Sequence, residues 1–193
     1  MKKSKNHGRI LTRSELRLEM KILKSKKKKI VFTNGCFELL HLGHIDLFKK
    51  AKDMGDILIV AINSDKSVSY IKGSKRPIVS DKDRAKLLLS LKYIDYVVIF
   101  NEKNPNKILK ELRPDILVKG SDYQLSKIVG KEYAKKVYRF PIVKGKSTTN
   151  LINLILNKYG YQKINEKIIN VSNNCFFKTK NTKFFYFLKK LHL

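Results

Sequence analysis

The sequence predicts an α/β fold: a single Rossmann-like domain with a parallel sheet of about five strands and helices on both faces. Three observations predict it. Short apolar runs (IVFTN, DILIVAIN, DYVVIF, DILVKG and VYRFPIV) alternate with amphipathic stretches along the chain. The first runs are apolar throughout, as strands covered on both faces must be. The chemically rich segments, TNGCF, NSD, KGSDY and KGKSTT, follow the carboxyl ends of those runs. Right-handed crossovers bring such ends to one edge, where open parallel sheets bind ligands.

The elements follow in order. Residues 11–24 (LTRSELRLEMKILK) place Leu11, Leu16, Leu18, Ile22 and Leu23 near helical spacing, with Thr12 or Ser14 as N-cap. Lys26 to Lys29 form a solvated linker. Residues 30–34 read as a buried strand, and 41–55 (HLGHIDLFKKAKDMG) as a helix that stops at Gly55. Strand 56–63, helix 82–92, strand 95–100, helix 104–112 with Pro105 near its first turn, and strand 115–120 come next. A last strand at 137–143 and a last helix at 148–158 complete the pattern. This divides the chain into a basic N-terminal helix and linker (1–29), a central α/β domain (30–157) and a basic, aromatic C-terminal extension (158–193).

With 193 residues the chain can bury one proper core. Its net charge of +27 is unevenly spread. Residues 1–29 hold 12 Lys and Arg against 2 acids, and residues 158–193 hold 8 against 1. Such ends suit a polyanion in principle, but charge runs are more often solvated surface, and the chain is also rich in Asn and Ile. No specific nucleic-acid partner is expected, because continuously apolar strands do not offer an exposed face of interleaved aromatics and bases. No run reaches the roughly 20 apolar residues of a membrane span, and no apolar stretch follows the basic N-terminus as in a secretory signal. FFYFL (184–188) is too short to cross a bilayer. Cys36 and Cys175 lie far apart and form no disulfide framework. A cytoplasmic location follows as the expectation.

The segment NGCFELLHLGH (34–44) puts two glycines and two imidazoles where a strand ends and a helix begins. Glycine lets backbone amides approach a ligand, and a helix N-terminus offers unpaired N–H groups and a positive dipole end. His41 and His44, three apart in the first turn, face one side. The arrangement reads as a phosphate cradle with two imidazole donors. Two histidines at this spacing also suit a metal, but no third ligand stands at a familiar spacing, so no metal site is expected. GKSTTN (145–150) opens the last helix with Ser147, Thr148 and Thr149. These hydroxyls serve as caps or as phosphate donors, and Lys144 and Lys146 beside them favour an anion.

Taken together, IVFTNGCFELLHLGH, LIVAINSDKSV, KGSKRPI, DYVVIF, LRPDILVKGSDY and GKSTTNLI resemble the nucleotidyltransferases of the HxGH type. Within them the chain is most similar to the adenylyltransferases of bacterial ADP-heptose synthesis, which act on D-glycero-β-D-manno-heptose 1-phosphate. The resemblance spans roughly residues 30–157 and includes the preceding LTRSEL helix. Two departures stand out: Glu38 where the family has Asp, and Ser121 where it has Gly. The resemblance implies transfer of AMP from ATP to a sugar 1-phosphate, with Mg²⁺ accompanying the ATP. It implies His41 and His44 as catalytic donors. It places Thr33, Asn34, Gly35, Phe37, Lys119, Gly120, Ser147, Thr148 and Thr149 along the nucleotide. Asp65 is a candidate for sugar hydroxyls or a helix cap, and Lys49 and Arg84 are candidates for the sugar phosphate or solvated helix charges. A cytidylyltransferase for glycerol 3-phosphate or a similar alcohol phosphate is the alternative within this fold. A basic nucleic-acid-binding protein is the alternative from another class. A homodimer is the default expectation for assembly.

Overall fold

The computed structural model describes residues 8–120, 124–141 and 147–160. Through Thr148 the chain forms one compact unit, and a second begins at Thr149. The first unit contains strands β1 (Arg9–Leu11), β2 (Ile30–Gly35), β3 (Ile57–Asn63), β4 (Tyr96–Phe100), β5 (Ile116–Gly120) and β6 (Lys136–Phe140). Its helices are α1 (Arg13–Ser25), α2 (Leu42–Lys52), α3 (Asp65–Lys72), α4 (Asp81–Leu89) and α5 (Asn106–Leu112). Helix α6 (Thr148–Ile155) crosses into the second unit and ends in a π-helical turn, Leu156–Gly160. Among the described residues no helix is long and apolar enough to cross a membrane.

All six strands are parallel, in the order β1-β4-β3-β2-β5-β6. From β2 the chain steps outward through β3 to β4, then returns to the other side of β2 for β5 and β6. The switch point therefore lies between the carboxyl ends of β2 and β5, the place where such sheets leave a crevice. The five anticipated strands are present, and Arg9–Leu11 adds an edge strand paired with β4. Three residues are too short a run to stand out by periodicity, so this strand exists by pairing alone.

Alternate residues feed two cores. Ile30 and Phe32 of β2, Ile59 and Ala61 of β3, and Leu117 of β5 pack with Leu16, Met20 and Leu23 of α1 and Ile108, Leu109 and Leu112 of α5. Val31, Leu58, Val60, Ile62 and Val118 point to the other face and pack with Leu47, Phe48 and Ala51 of α2 and Ala85 and Leu88 of α4. Helices thus cover both faces. Helix α1 starts with a capping box: the Glu15 amide donates to Thr12 Oγ1 at 3.3 Å and the Thr12 amide to Glu15 Oε2 at 2.7 Å. Ser64 caps α3 and Ser80 caps α4, each accepting from the amide three residues on.

Because Leu16 is fully buried under the sheet, Leu16→Ala is expected to lose about 2–5 kcal/mol of stability, a large part of a typical domain's total. Urea denaturation followed by circular dichroism measures it.

Candidate active site

Strand β2 is buried from Ile30 to Thr33 and becomes partly accessible at Asn34. Register brings Asn34 opposite Ala61 and Gly35 opposite Ile62, so the ends of β2 and β3 arrive level. After Gly35 the chain turns sharply. Phe37 adopts a left-handed backbone (φ 44°), and its ring folds back over the glycine. A Cβ on Gly35 would sit 3.1 Å from two atoms of that ring, closer than ordinary contact allows. Glycine suits the position for packing as well as for access.

His41 is the N-cap of α2, with extended backbone and no capping bond from its own side chain. His44 follows in the first turn. The two imidazoles stack, with ring centroids 3.7 Å apart and planes tilted by 21°. Phe37 meets His44 edge-on at 5.1 Å, and Phe48 lies behind both. Burial lowers the His44 pKa from 6.5 to about 4, with the charges of His41 and Lys72 acting in the same direction. His44 is therefore neutral at pH 7 and donates a single hydrogen bond. Its Nδ1 and the Oδ1 of Asn34 are buried without a hydrogen-bond partner among the described residues. Leaving such atoms unmatched costs about 1–3 kcal/mol each, which a bound polar ligand recovers.

Lys119, near the end of β5, donates to the Asn34 carbonyl at 3.4 Å and so closes the crevice from the other side. Thr148 Oγ1 donates to the Leu39 carbonyl at 3.4 Å. Asn34, Gly35, Phe37, His41, His44, Lys119 and Thr148 thus lie around one corner, and Thr33 is buried in the strand beneath it. Gly120 is the last residue of β5 and Ser147 the one before α6. Thr149 opens the second unit. Ser121 to Tyr123, Lys144 to Lys146, Cys175 and FFYFL lie outside the described residues.

The three acceptor candidates are placed differently. Lys49 is exposed in the last turn of α2, about 7.5 Å farther along the helix than His44 by helical rise. Arg84 is 1 % exposed. Its guanidinium donates to the Val79 carbonyl at 3.0 Å, the Cys36 carbonyl at 2.6 Å and Asp65 Oδ1 at 2.8 Å. It is occupied within the protein rather than presented to solvent. Asp65 keeps a 42 % exposed side chain while bound to Arg84.

A second arginine joins the corner to the loop before α4, and sequence reasoning gave it no role. Arg76 makes a double ion pair with the buried Glu38, Nε to Oε1 at 2.5 Å and a terminal nitrogen to Oε2 at 2.6 Å. The Ile78 amide adds a bond to Oε1 at 2.7 Å. Burial pushes the Glu38 carboxyl up, but Arg76 and Ile78 outweigh it and hold the carboxyl below its usual range. The available signal was an acid directly after a strand exit, where burial demands a cation. Cys36, Asn63 and Ser67 form a further polar chain: Cys36 Sγ lies 3.9 Å from Asn63 Oδ1, and Asn63 Nδ2 donates to Ser67 Oγ at 2.9 Å.

A helix N-terminus bearing two imidazoles at the switch point of a parallel sheet is the layout of a nucleotide-handling α/β domain. Comparison with known proteins makes the class specific. The cytidylyltransferase-like family profile matches residues 32–184, and the chain belongs to that family of nucleotidyltransferases. The bifunctional protein HldE of Helicobacter pylori (strain HPAG1) is 49 % identical over 152 residues, covering 79 % of this chain and 32 % of that protein. Its namesake from a Nitratiruptor species is 52 % identical over 138 residues, covering 72 % and 30 %. The chain spans about a third of the length of these relatives. A lipopolysaccharide core biosynthesis protein from Thermoplasma volcanium GSS1 aligns at 30 % identity and a TM-score of 0.48, covering 61 % of this chain and 98 % of that one.

The His44 assignment fixes a pH dependence. Below 6.5 the unfolded chain takes up a proton that folded His44 refuses until about pH 4. Stability therefore falls as pH drops through that window and is regained as it rises. Proton NMR titration is expected to show a His44 midpoint near 4, and His44→Gln to flatten the acid limb of the stability curve.

Proposed function

We propose that this chain transfers AMP from ATP to a sugar 1-phosphate, D-glycero-β-D-manno-heptose 1-phosphate by resemblance, releasing pyrophosphate and ADP-heptose. The observation that carries it is the histidine stack at the start of α2 beside the unmatched Asn34 Oδ1 and His44 Nδ1. About 50 % identity to two proteins named HldE favours this acceptor class over an alcohol phosphate. The reaction is set in the cytoplasm, where ATP is available.

A phosphate oxygen of the sugar 1-phosphate attacks the α-phosphorus of ATP, and the bond to the bridging oxygen of pyrophosphate breaks. The nucleophile is already an anion, so the site needs no general base. It must align the groups and offset charge as it grows on the phosphate oxygens. The first amides of α2 and the imidazoles of His41 and His44 supply donors, His44 being held neutral by burial. Asn34, Gly35, Phe37, Lys119 and Gly120 line the nucleotide crevice, with Thr33 supporting it from the strand. Ser147 and Thr148 serve the phosphates. Asp65, steered by Arg84, accepts from sugar hydroxyls, and Lys49 contributes a distant positive charge toward the acceptor. No cluster of three His, Cys, Asp or Glu stands among the described residues. Mg²⁺ enters as part of the MgATP substrate, held by phosphate oxygens and water.

Pyrophosphate release, measured with ATP or CTP against a panel of sugar and polyol phosphates, tests the reading. ATP with the heptose 1-phosphate is expected to be the best pair. Preferred turnover of CTP with glycerol 3-phosphate would overturn it. His41→Ala and His44→Ala are each expected to lower kcat about 10²–10³-fold with the fold retained, as loss of a transition-state donor does. Thr148→Ala is expected to weaken ATP use by about 1.5–3 kcal/mol, read as KM or kcat, with the sugar constant changing much less.

A further inference from the structure

The amino-terminal ends of β2, β5 and β6 lie at the pole opposite the histidine corner, because every strand is parallel. There the end of α1 and the loops entering these strands frame an open cleft of about 700 Å³. Six bases line it against a single acid, Asp115. The walls are tied together. Lys24 Nζ donates to the Leu112 carbonyl at 2.7 Å, and the Ile30 amide to Asp115 Oδ2 at 2.8 Å. Asp115 is engaged again by Lys135 at 2.7 Å, so its charge is already matched. Lys28 stands 3.8 Å from Asp56. Among the described residues no hydrogen bond or ion pair engages the side chains of Lys27, Lys29 or Arg113.

Backbone strain marks the same place. Three described residues other than glycine have left-handed φ: Phe37 at 44°, Lys27 at 52° and Arg113 at 45°. Phe37 belongs to the candidate active site, and the other two both line this cleft. Each of them terminates a helix, where glycine or asparagine adopts that conformation at least cost. A lysine and an arginine in its place accept strain and add a cation. Strain of this kind concentrates where a site needs a particular group. Burial holds the Lys24 pKa below the ordinary lysine value; Asp115 opposes this, and Lys135 and Arg113 add to it.

We propose that this cleft binds a small anion carrying two or more linked phosphates, at a site separate from the nucleotide crevice. Its lining is concave and cationic, with the side chains of Lys27, Lys29 and Arg113 left unengaged, which suits phosphate oxygens. It contains no aromatic side chain on which a base could stack, so a single-stranded nucleic acid would gain only its backbone charge. The proposal goes beyond the transfer reaction and does not depend on it.

Calorimetric titration of the full chain with inorganic tripolyphosphate tests it, using wild type and the double variant Lys27→Gly, Arg113→Gly. Glycine fits both φ angles, so the variant keeps or raises the melting temperature. Wild type is expected to bind two anions per chain, and the variant to lose the second or weaken it by at least about tenfold. Pyrophosphate release with ATP should be unchanged in the variant. Titration with ATP then separates the sources. A second ATP per wild-type chain, absent in the variant, identifies the phosphate tail of a nucleotide as occupant, and a single ATP identifies free oligophosphate. Equal stoichiometry and affinity for tripolyphosphate in both proteins would overturn the site. A single-stranded oligonucleotide that displaces the second anion from wild type at lower concentration than tripolyphosphate would overturn the small-anion occupant in favour of nucleic acid.

Discussion

Strand β2 lies between β3 and β5 with helices over both faces, and that burial governs the arrangement of everything around it. A strand so placed has no face open to water, so it cannot carry an unmatched polar group along its length. Polar chemistry is displaced to its end, at Asn34. Because its neighbours run parallel, the ends of β3 and β5 bring Asn63 and Lys119 to the same edge. Helix α2 then has to start at this edge to return across the sheet, and its open amides and both histidines start with it. The apolar centre and the polar corner are two consequences of one constraint.

The corner is held by buried charge. Glu38 and Arg84 are 2 % and 1 % exposed, and an unpaired ion at such depth would cost several kcal/mol. Each is matched by groups from another loop: Glu38 by Arg76 and the Ile78 amide, Arg84 by Asp65 and the carbonyls of Cys36 and Val79. The two sets lace residues 36–38 to residues 76–79 from both sides. Such pairs need not add net stability, but breaking one leaves an uncompensated charge, so the loops hold one arrangement. Preorganisation of this kind is what a transfer reaction without a general base requires, since alignment and charge supply its rate. Both carboxylate oxygens of Glu38 are engaged by Arg76.

The electrostatic character of the two poles differs. At the carboxyl edge backbone amides and a neutral imidazole stand beside a lysine, Lys119, a set suited to charge that grows during a reaction. At the amino edge the donors are permanent cations, suited to charge already present. The net charge of +27 describes neither, because it averages a solvated surface with one basic cleft.

Strand runs, helices, caps and the HLGH corner were legible in the sequence because each is set within a few residues. Apolar runs report burial, Thr12 with Glu15 reports a helix start, and Gly35 ahead of His41 and His44 reports a tight turn from strand into helix. That the polar strand exits share one edge followed from parallel strands joined by right-handed crossovers. Tertiary structure decided what depends on partners distant in sequence. The edge strand Arg9–Leu11 exists only against β4, some 87 residues on. Arg84 read as a free cation on a helix, yet Cys36, 48 residues earlier, and Asp65, 19 residues earlier, claim it. Glu38, just past a strand exit, marked the need for a cation, but nothing local singled out Arg76, 38 residues on, as its partner. Local physics fixes where the chain is apolar and where it turns, whereas a buried charge finds its partner only when distant loops are brought together.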